Sequence, residues 1–233
     1  MPTVLITGAS RGFGRALFDV YSRRGWITSP LVRDPNVALQ LRASAGARCH
    51  PIVADVATEQ VEPAIAGVLE RNSEPLDVLI NNAGSIKKLR GLANTFPEDL
   101  IDLFSVHCVG VLRCTKAALP FLAEAKRPVV VNISSRWGSI GRTASGITTG
   151  IYSYQIAKAA QNMLTACLDQ ELAETGVRVF ALHPGRLMTT AAAPDADTDP
   201  RDAAEALANW IDQVDDDTVC GFHDLMGGGV IEW

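Results

Sequence analysis

The chain has no apolar run approaching the roughly 20 residues that a bilayer core demands, so a spanning helix is excluded. Cysteine is scarce. The five cysteines, Cys49, Cys108, Cys114, Cys167 and Cys220, are odd in number and scattered, with no Cys-x-x-Cys. That spacing supports neither a disulfide framework nor a zinc site. The four histidines are equally dispersed, and no metal is expected. Positive charge is also short: 21 Lys and Arg against 26 Asp and Glu leave a formal charge of −5. An acidic surface gives nucleic acid no electrostatic reason to bind. No charged leader precedes Val4-Leu5-Ile6, and a soluble, reducing, cytoplasmic setting is the expectation.

What is present is a folded composition, 47% apolar over 233 residues, enough for one domain with a sizeable core. Short apolar runs alternate with helical periodicity. Strands are expected at 4–6, 27–32, 52–53, 76–80, 129–133 and 177–182. Pro30 is awkward in the second, because it removes a ladder donor. Helical faces run through Phe13, Leu17 and Val20, and through Val61, Ile65, Val68 and Leu69. Thr95-Phe96-Pro97-Glu98 fits a capping box that opens a long helix ending near Pro120. A helix from about Ser153 ends near Gly176, and Asp199-Pro200 caps a last one through Ala203, Leu207, Trp210, Ile211 and Val214. Apolar strands alternating with helices call for a parallel sheet covered on both faces, most simply a doubly wound one. The Ala- and Asp-rich stretch 191–199 reads as a mobile surface loop.

Two motifs carry chemistry. Thr7-Gly8-Ala9-Ser10-Arg11-Gly12-Phe13-Gly14 lies between a strand and a helix. Its glycines let the backbone approach a pyrophosphate, and the following helix directs its amides and positive end there. Tyr154-Gln155-Ile156-Ala157-Lys158 places a phenol and an ammonium one helical turn apart on one face.

Together with Asp55-Val56, Asn81-Asn82-Ala83-Gly84, Asn132-Ile133-Ser134-Ser135 and His183-Pro184-Gly185, in this order, the chain resembles the short-chain dehydrogenase/reductase family. The tail and the segment around 136–150 are similar to its C-factor branch of carbonyl reductases. The resemblance implies a single α/β domain over 1–233, a Rossmann fold with a parallel sheet of about seven strands, and a short substrate lid around 186–214. It also implies cofactor contacts from Gly8, Ser10, Arg11, Gly12, Phe13 and Gly14, from Asp55 and Val56 near the adenine, and from Asn82, Ala83 and Gly84 at the ribose. Pro184, Leu187 and Thr189 would hold the carboxamide and phosphates, and Lys158 the nicotinamide ribose. Ser135, rather than Ser134, would polarise a carbonyl that Tyr154 protonates.

Cofactor choice follows from charge. The second strand ends Leu31-Val32-Arg33, with no carboxylate for a 2′-hydroxyl and a guanidinium suited to a 2′-phosphate, so NADP(H) is expected over NAD(H). A phenol of pKa about 10 needs help to ionise, and an adjacent ammonium should favour the phenolate. Trp137, Leu187 and Met188 offer an apolar wall for a small or flat ketone, aldehyde or quinone.

His107 stands where the family usually has Asn, and the distance from Ser135 to Tyr154 is lengthened by residues 142–150. The usual Asn bends its helix so that a carbonyl holds a water linked to the lysine. An imidazole can join that relay, because it titrates near neutral pH, break it, or simply fill the core. The alternative function is therefore a dinucleotide-binding regulatory or signalling protein with little turnover. The Tyr154 helix is apolar nearly all round, which is read as a homodimer contact.

Overall fold

The computed structural model describes residues 1–87, 91–148, 150–189, 196–215 and 217–233. Its strands are β1 (Thr3–Thr7), β2 (Ile27–Val32), β3 (Ile52–Val53), β4 (Val78–Asn81), β5 (Val129–Ile133), β6 (Arg178–His183), β7 (Phe222–Asp224) and β8 (Val230–Ile231). They form one sheet in the order β3-β2-β1-β4-β5-β6-β7-β8, parallel except for the last pair. The sequence reading missed β7 and β8 because two- and three-residue strands among glycines leave no periodicity.

The helices are α1 (Gly12–Arg23), α2 (Pro35–Ala45), α3 (Val61–Asn72), α4 (Pro97–Phe104), α5 (Gly110–Leu122), α6 (Ile140–Ala144), α7 (Tyr152–Leu172) and α8 (Pro200–Asp212). On one face of the sheet, α1 and α8 bury Leu17, Phe18, Leu207 and Ile211 over Ile6, Ile80 and Phe180. On the other, Ile65 and Leu69 of α3, Cys114 and Leu122 of α5 and Leu168 of α7 cover Leu5, Leu79 and Val179. Strands buried on both faces read as continuous apolar runs for this reason. Pro30 is tolerated because β3, its neighbour on one side, spans two residues registered on Leu31 and Val32.

Three local expectations need correction. Thr95 does not cap: its Oγ1 donates to the Gly91 carbonyl, and Phe96 holds the cap position without a side-chain bond. The expected long helix is three pieces, with a π-helical segment at Ser105–Val109 between α4 and α5, and α5 carries Pro120 inside it. Helix α2 was not foreseen, although Asp34 accepts from Asn36 N and Pro35 follows it, a cap and first-turn proline in plain view. As for the expected lid, α8 is a core layer tied to α1 by Arg23 and Arg24 with Glu205 and Asp212. In the described part of the segment before α8, Met188 N donates to Thr198 O. Residues 191–195 of the expected loop lie outside the described residues.

The order reverses direction between β1 and β4, the switch point at which such sheets open a crevice beyond their carboxyl ends. Thr7, Asn81, Ile133 and His183 end the four strands that flank it.

Candidate active site

The glycine loop is held by the end of β4. Thr7 Oγ1 accepts from the amides of Asn82 and Ala83 at 2.9 Å each, and Asn82 Nδ2 donates to Thr7 O at 2.9 Å. This leaves no room for side chains. A Cβ on Gly14 would lie 2.3 Å from Gly8 O, and one on Gly8, at φ +71°, would lie 2.8 Å from Ala83 Cα. Helix α1 then starts after Arg11, which makes no side-chain cap, and it has no acidic residue in its first turn. Ser10, Arg11 and Gly12 are exposed at this positive end, whereas Phe13 is buried in the core and can offer only its backbone. Thr189 comes over the loop: its Cγ2 would sit 3.4 Å from a Cβ on Gly12.

Arg33 projects into solvent from the end of β2 and lies 3.5 Å from Asp55. The other Asp55 oxygen accepts from Ala57 N at 3.0 Å. Asp34, the one carboxylate near Arg33 on that turn, is engaged as the α2 cap. Val56 is buried and packs against Gly110 of α5.

At the end of β5 the two serines separate. Ser134 Oγ donates to Asn162 Oδ1 at 2.6 Å and is committed to α7. Ser135 Oγ accepts from Trp137 N at 3.3 Å, and its side chain lies close enough to the Tyr154 phenol to pull its pKa down. The turn after Ser135 lies flat on α7, because a Cβ on Gly138 would meet Lys158 Cβ at 2.8 Å. Lys158 is buried, 5.9 Å from the Tyr154 ring centroid, and its Nζ donates to Ile133 O at 2.6 Å and to Gln161 Oε1 at 2.8 Å.

The expected depression of the phenol by the ammonium is not what the site does. Burial raises Tyr154 to about 12, offset only by the Ser135 side chain. Burial also lowers Lys158 to about 7, so the cation itself is weakened.

His107 sits in the π segment, with its ring edge-on to Tyr154 at 5.6 Å between centroids. Its Nε2 lies 2.7 Å from Ser85 O and 3.3 Å from Ser85 N; the shorter contact, to a carbonyl that can only accept, places the proton on that nitrogen and leaves Nδ1 a buried acceptor with no protein partner among the described residues. The imidazole fills the space beside Gly84, where a Cβ would come within 2.6 Å of His107 Cε1. Burial first, and the Lys158 charge second, push it down to about 3 against the pull of the Ser85 carbonyl. It therefore stays neutral at ordinary pH, and titration near neutrality, the basis on which it was offered to the relay, is corrected.

Comparison with known proteins then decides the family. The model of the short chain dehydrogenases matches residues 2–200. The chain belongs to that family. This short-chain dehydrogenase is 33% identical to a short chain dehydrogenase of Monascus purpureus over 198 residues, 80% of this chain, and spans only 65% of that relative's length. It is 33% identical to the C-signal of Myxococcus xanthus over 153 residues, 66% of this chain and 90% of that protein. The NADPH-bound carbonyl reductase from chicken fatty liver superposes with a TM-score of 0.90 at 26% identity, covering 100% of this chain and 99% of that one.

The crevice fits a dinucleotide: its glycine cradle cannot take a Cβ, and its uncapped helix start has no acid to repel phosphates. Trp137 lines a groove of about 310 Å³ with Ile140, Ile156 and Ala159, to which Ser135, Tyr154, Lys158 and Met188 do not contribute. Met188 is half exposed and Leu187 partly buried beside the Thr198 bridge, while Pro184 is buried. The inserted residues are tied down rather than loose, since Gln155 donates to Thr143 Oγ1 and Thr148 O. Gln161 was missed. The available signal was a polar residue three after the lysine, on the same helix face.

The buried histidines make stability depend on pH. Folded pKa values of about 3 for His107 and about 4 for His183 lie below the ordinary 6.5. Below pH 6.5 the unfolded chain takes up protons that the folded one refuses, so stability falls as pH drops toward 4, at roughly 1.4 kcal/mol per pH unit for each histidine. Urea midpoints measured across that window should fall for the native protein and fall less steeply for His107→Asn. Parallel curves would show that His107 is not the source.

Proposed function

We propose that this protein is an NADPH-dependent reductase of a small or flat carbonyl, a ketone, aldehyde or quinone, giving the alcohol. The observation that carries the reading is the grouping of the Tyr154 phenol with Ser135 and with the buried Lys158, whose Nζ lies 5.9 Å from the ring centroid. NADPH, when bound, supplies the hydride. The glycine loop and the start of α1 would hold its phosphates, Lys158 the nicotinamide ribose, and Arg33 with Arg11 the 2′-phosphate.

Ser135 would donate to the carbonyl oxygen and steady the charge that develops there. Tyr154 then gives up its proton. At a pKa of about 12 the phenol is protonated throughout the neutral range, and an alkoxide is more basic still, so transfer runs downhill in the reductive direction. Oxidation would need a phenolate present at roughly one part in 10⁵ at pH 7 before the cofactor's own charge acts. His107, neutral and fixed to Ser85, contributes an acceptor nitrogen rather than a proton that comes and goes. The chicken carbonyl reductase with bound NADPH supports the same choice of cofactor.

The protein's second copy is its proposed partner. Tyr152, Ile156 and Met163 leave an apolar edge of α7 exposed, continuous through Ile156 with the groove at Trp137 and Ile140. A homodimer would bury it.

Tyr154→Phe should lower kcat by about 100-fold or more with quinones and vicinal diketones while NADPH still binds. Tight NADPH binding by the native protein with no turnover on any carbonyl would instead favour the regulatory reading. Arg33→Ala should weaken NADPH about fivefold and leave NADH unchanged in a fluorescence titration. Equal losses for the two would remove the 2′-phosphate assignment. Light scattering should give twice the 24.9 kDa chain mass, and Ile156→Asp should give monomers. A native monomer would end the dimer reading.

A further inference from the structure

Lys158 is a buried cation that no carboxylate among the described residues approaches within salt-bridge distance. An ammonium has three donors; the Ile133 carbonyl takes one at 2.6 Å and the Gln161 amide oxygen a second at 2.8 Å. The third is left for the crevice. Where the family has Asn, this chain has His107, whose side-chain Nε2 is engaged by Ser85. The lysine is held from the opposite side, by its own helix.

Gln161 is itself fixed. It is 1% exposed, and its backbone carbonyl accepts from Thr165 Oγ1 at 2.8 Å. Thr165 Oγ1 accepts from Asn132 Nδ2 at 2.9 Å, and Asn132 Oδ1 from Asn81 Nδ2 at 2.8 Å. Asn81 Nδ2 also reaches Thr115 Oγ1 at 3.3 Å. A buried polar column thus crosses from α5 through paired positions of β4 and β5 to α7, and beside it Gln161 meets the ammonium. Half-satisfied networks of this kind are costly, so a connected one is rigid.

We propose that Gln161 is a positioning residue: its amide oxygen holds the Lys158 ammonium against the Ile133 carbonyl and so sets the pH range over which that ammonium keeps its charge. The assignment rests on the reductase reading for its catalytic meaning, but its test does not. The titratable groups facing Lys158 are Tyr154 on its own helix and His107 on the π segment. Charged side chains on the other packed elements are directed elsewhere. Asp99 of α4 pairs with Lys87, Arg136 and His183 lie toward Asp224, and Arg178 of β6 reaches the carbonyls of Asp215 and Thr218.

The experiment compares native protein, Gln161→Leu and Gln161→Glu. Thermal midpoints of the unliganded proteins are followed between about pH 6 and pH 10, and NADPH affinity over the same range. A lysine whose folded pKa lies below its unfolded one gives stability that rises with pH between the two. Removing the amide acceptor should start that rise about one pH unit lower, and the carboxylate should delay it by at least as much. NADPH affinity should fall off correspondingly earlier in Gln161→Leu and later in Gln161→Glu. In a Lys158→Met background the Gln161→Leu shift should vanish.

Variant curves displaced in height but parallel to the native one would overturn the proposal, since a merely structural glutamine changes stability without moving its pH dependence. Should Gln161→Leu fail to fold, the near-isosteric Gln161→Glu decides alone. A native protein that binds NADPH and reduces no carbonyl would remove the reductase reading while leaving the thermal curves to judge Gln161.

Discussion

The constraint on which the catalytic end depends is the burial of one ammonium without a carboxylate. A paired Lys–Glu would be cheaper to bury, but it would hold the charge permanently and tie both groups to each other. Lys158 is instead solvated by neutral oxygens, the Ile133 carbonyl and the Gln161 amide. Neutral acceptors leave the cation only partly stabilised and therefore available to a polar guest. They also explain the sequence around it. Asn81 and Asn132, paired across β4 and β5, stand at strand positions that would otherwise be apolar; both amide ends of Asn132 are bonded within the column, whereas Asn81 uses its Nδ2 there and keeps a buried Oδ1 without a partner among the described residues.

The π segment follows from the same site. An extra residue in the helical ladder re-aims a side chain inward, which is why such bulges gather at functional positions. Here it seats His107 against Gly84, where a Cβ would clash, and edge-on to Tyr154. The imidazole and the glycine are thus one packing unit, and the departure from Asn is absorbed by the bulge and by Ser85.

Legibility in the sequence tracked how local each cause is. The glycine loop, the buried strands and the Tyr154–Lys158 turn could be read because one or two successive turns of chain decide them. The resemblance puts Ser135 rather than Ser134 in the site, and the sequence hides what holds Ser134 elsewhere: its hydroxyl is claimed by Asn162, a residue 28 positions away. The Thr95 capping box failed because Gly91 competes for the same hydroxyl. The ionisation of the site was misjudged for a similar reason. Spacing showed that a phenol and an ammonium are neighbours, but not that both are buried, and burial outweighs their proximity.

That imbalance bears on direction. A tyrosine held near 12 and a lysine near 7 have moved apart in proton affinity, in the sense that is unhelpful for oxidation: the phenol keeps its proton while the amine is ready to lose one. Reduction asks for just that, a protonated acid next to a group that can be recharged after the transfer. On the proposed reading, proton return to Tyr154 is the step most sensitive to how Lys158 is held. The residue that holds it from α7, rather than the one that departs from the family pattern on the π segment, is where this chain's own chemistry is set.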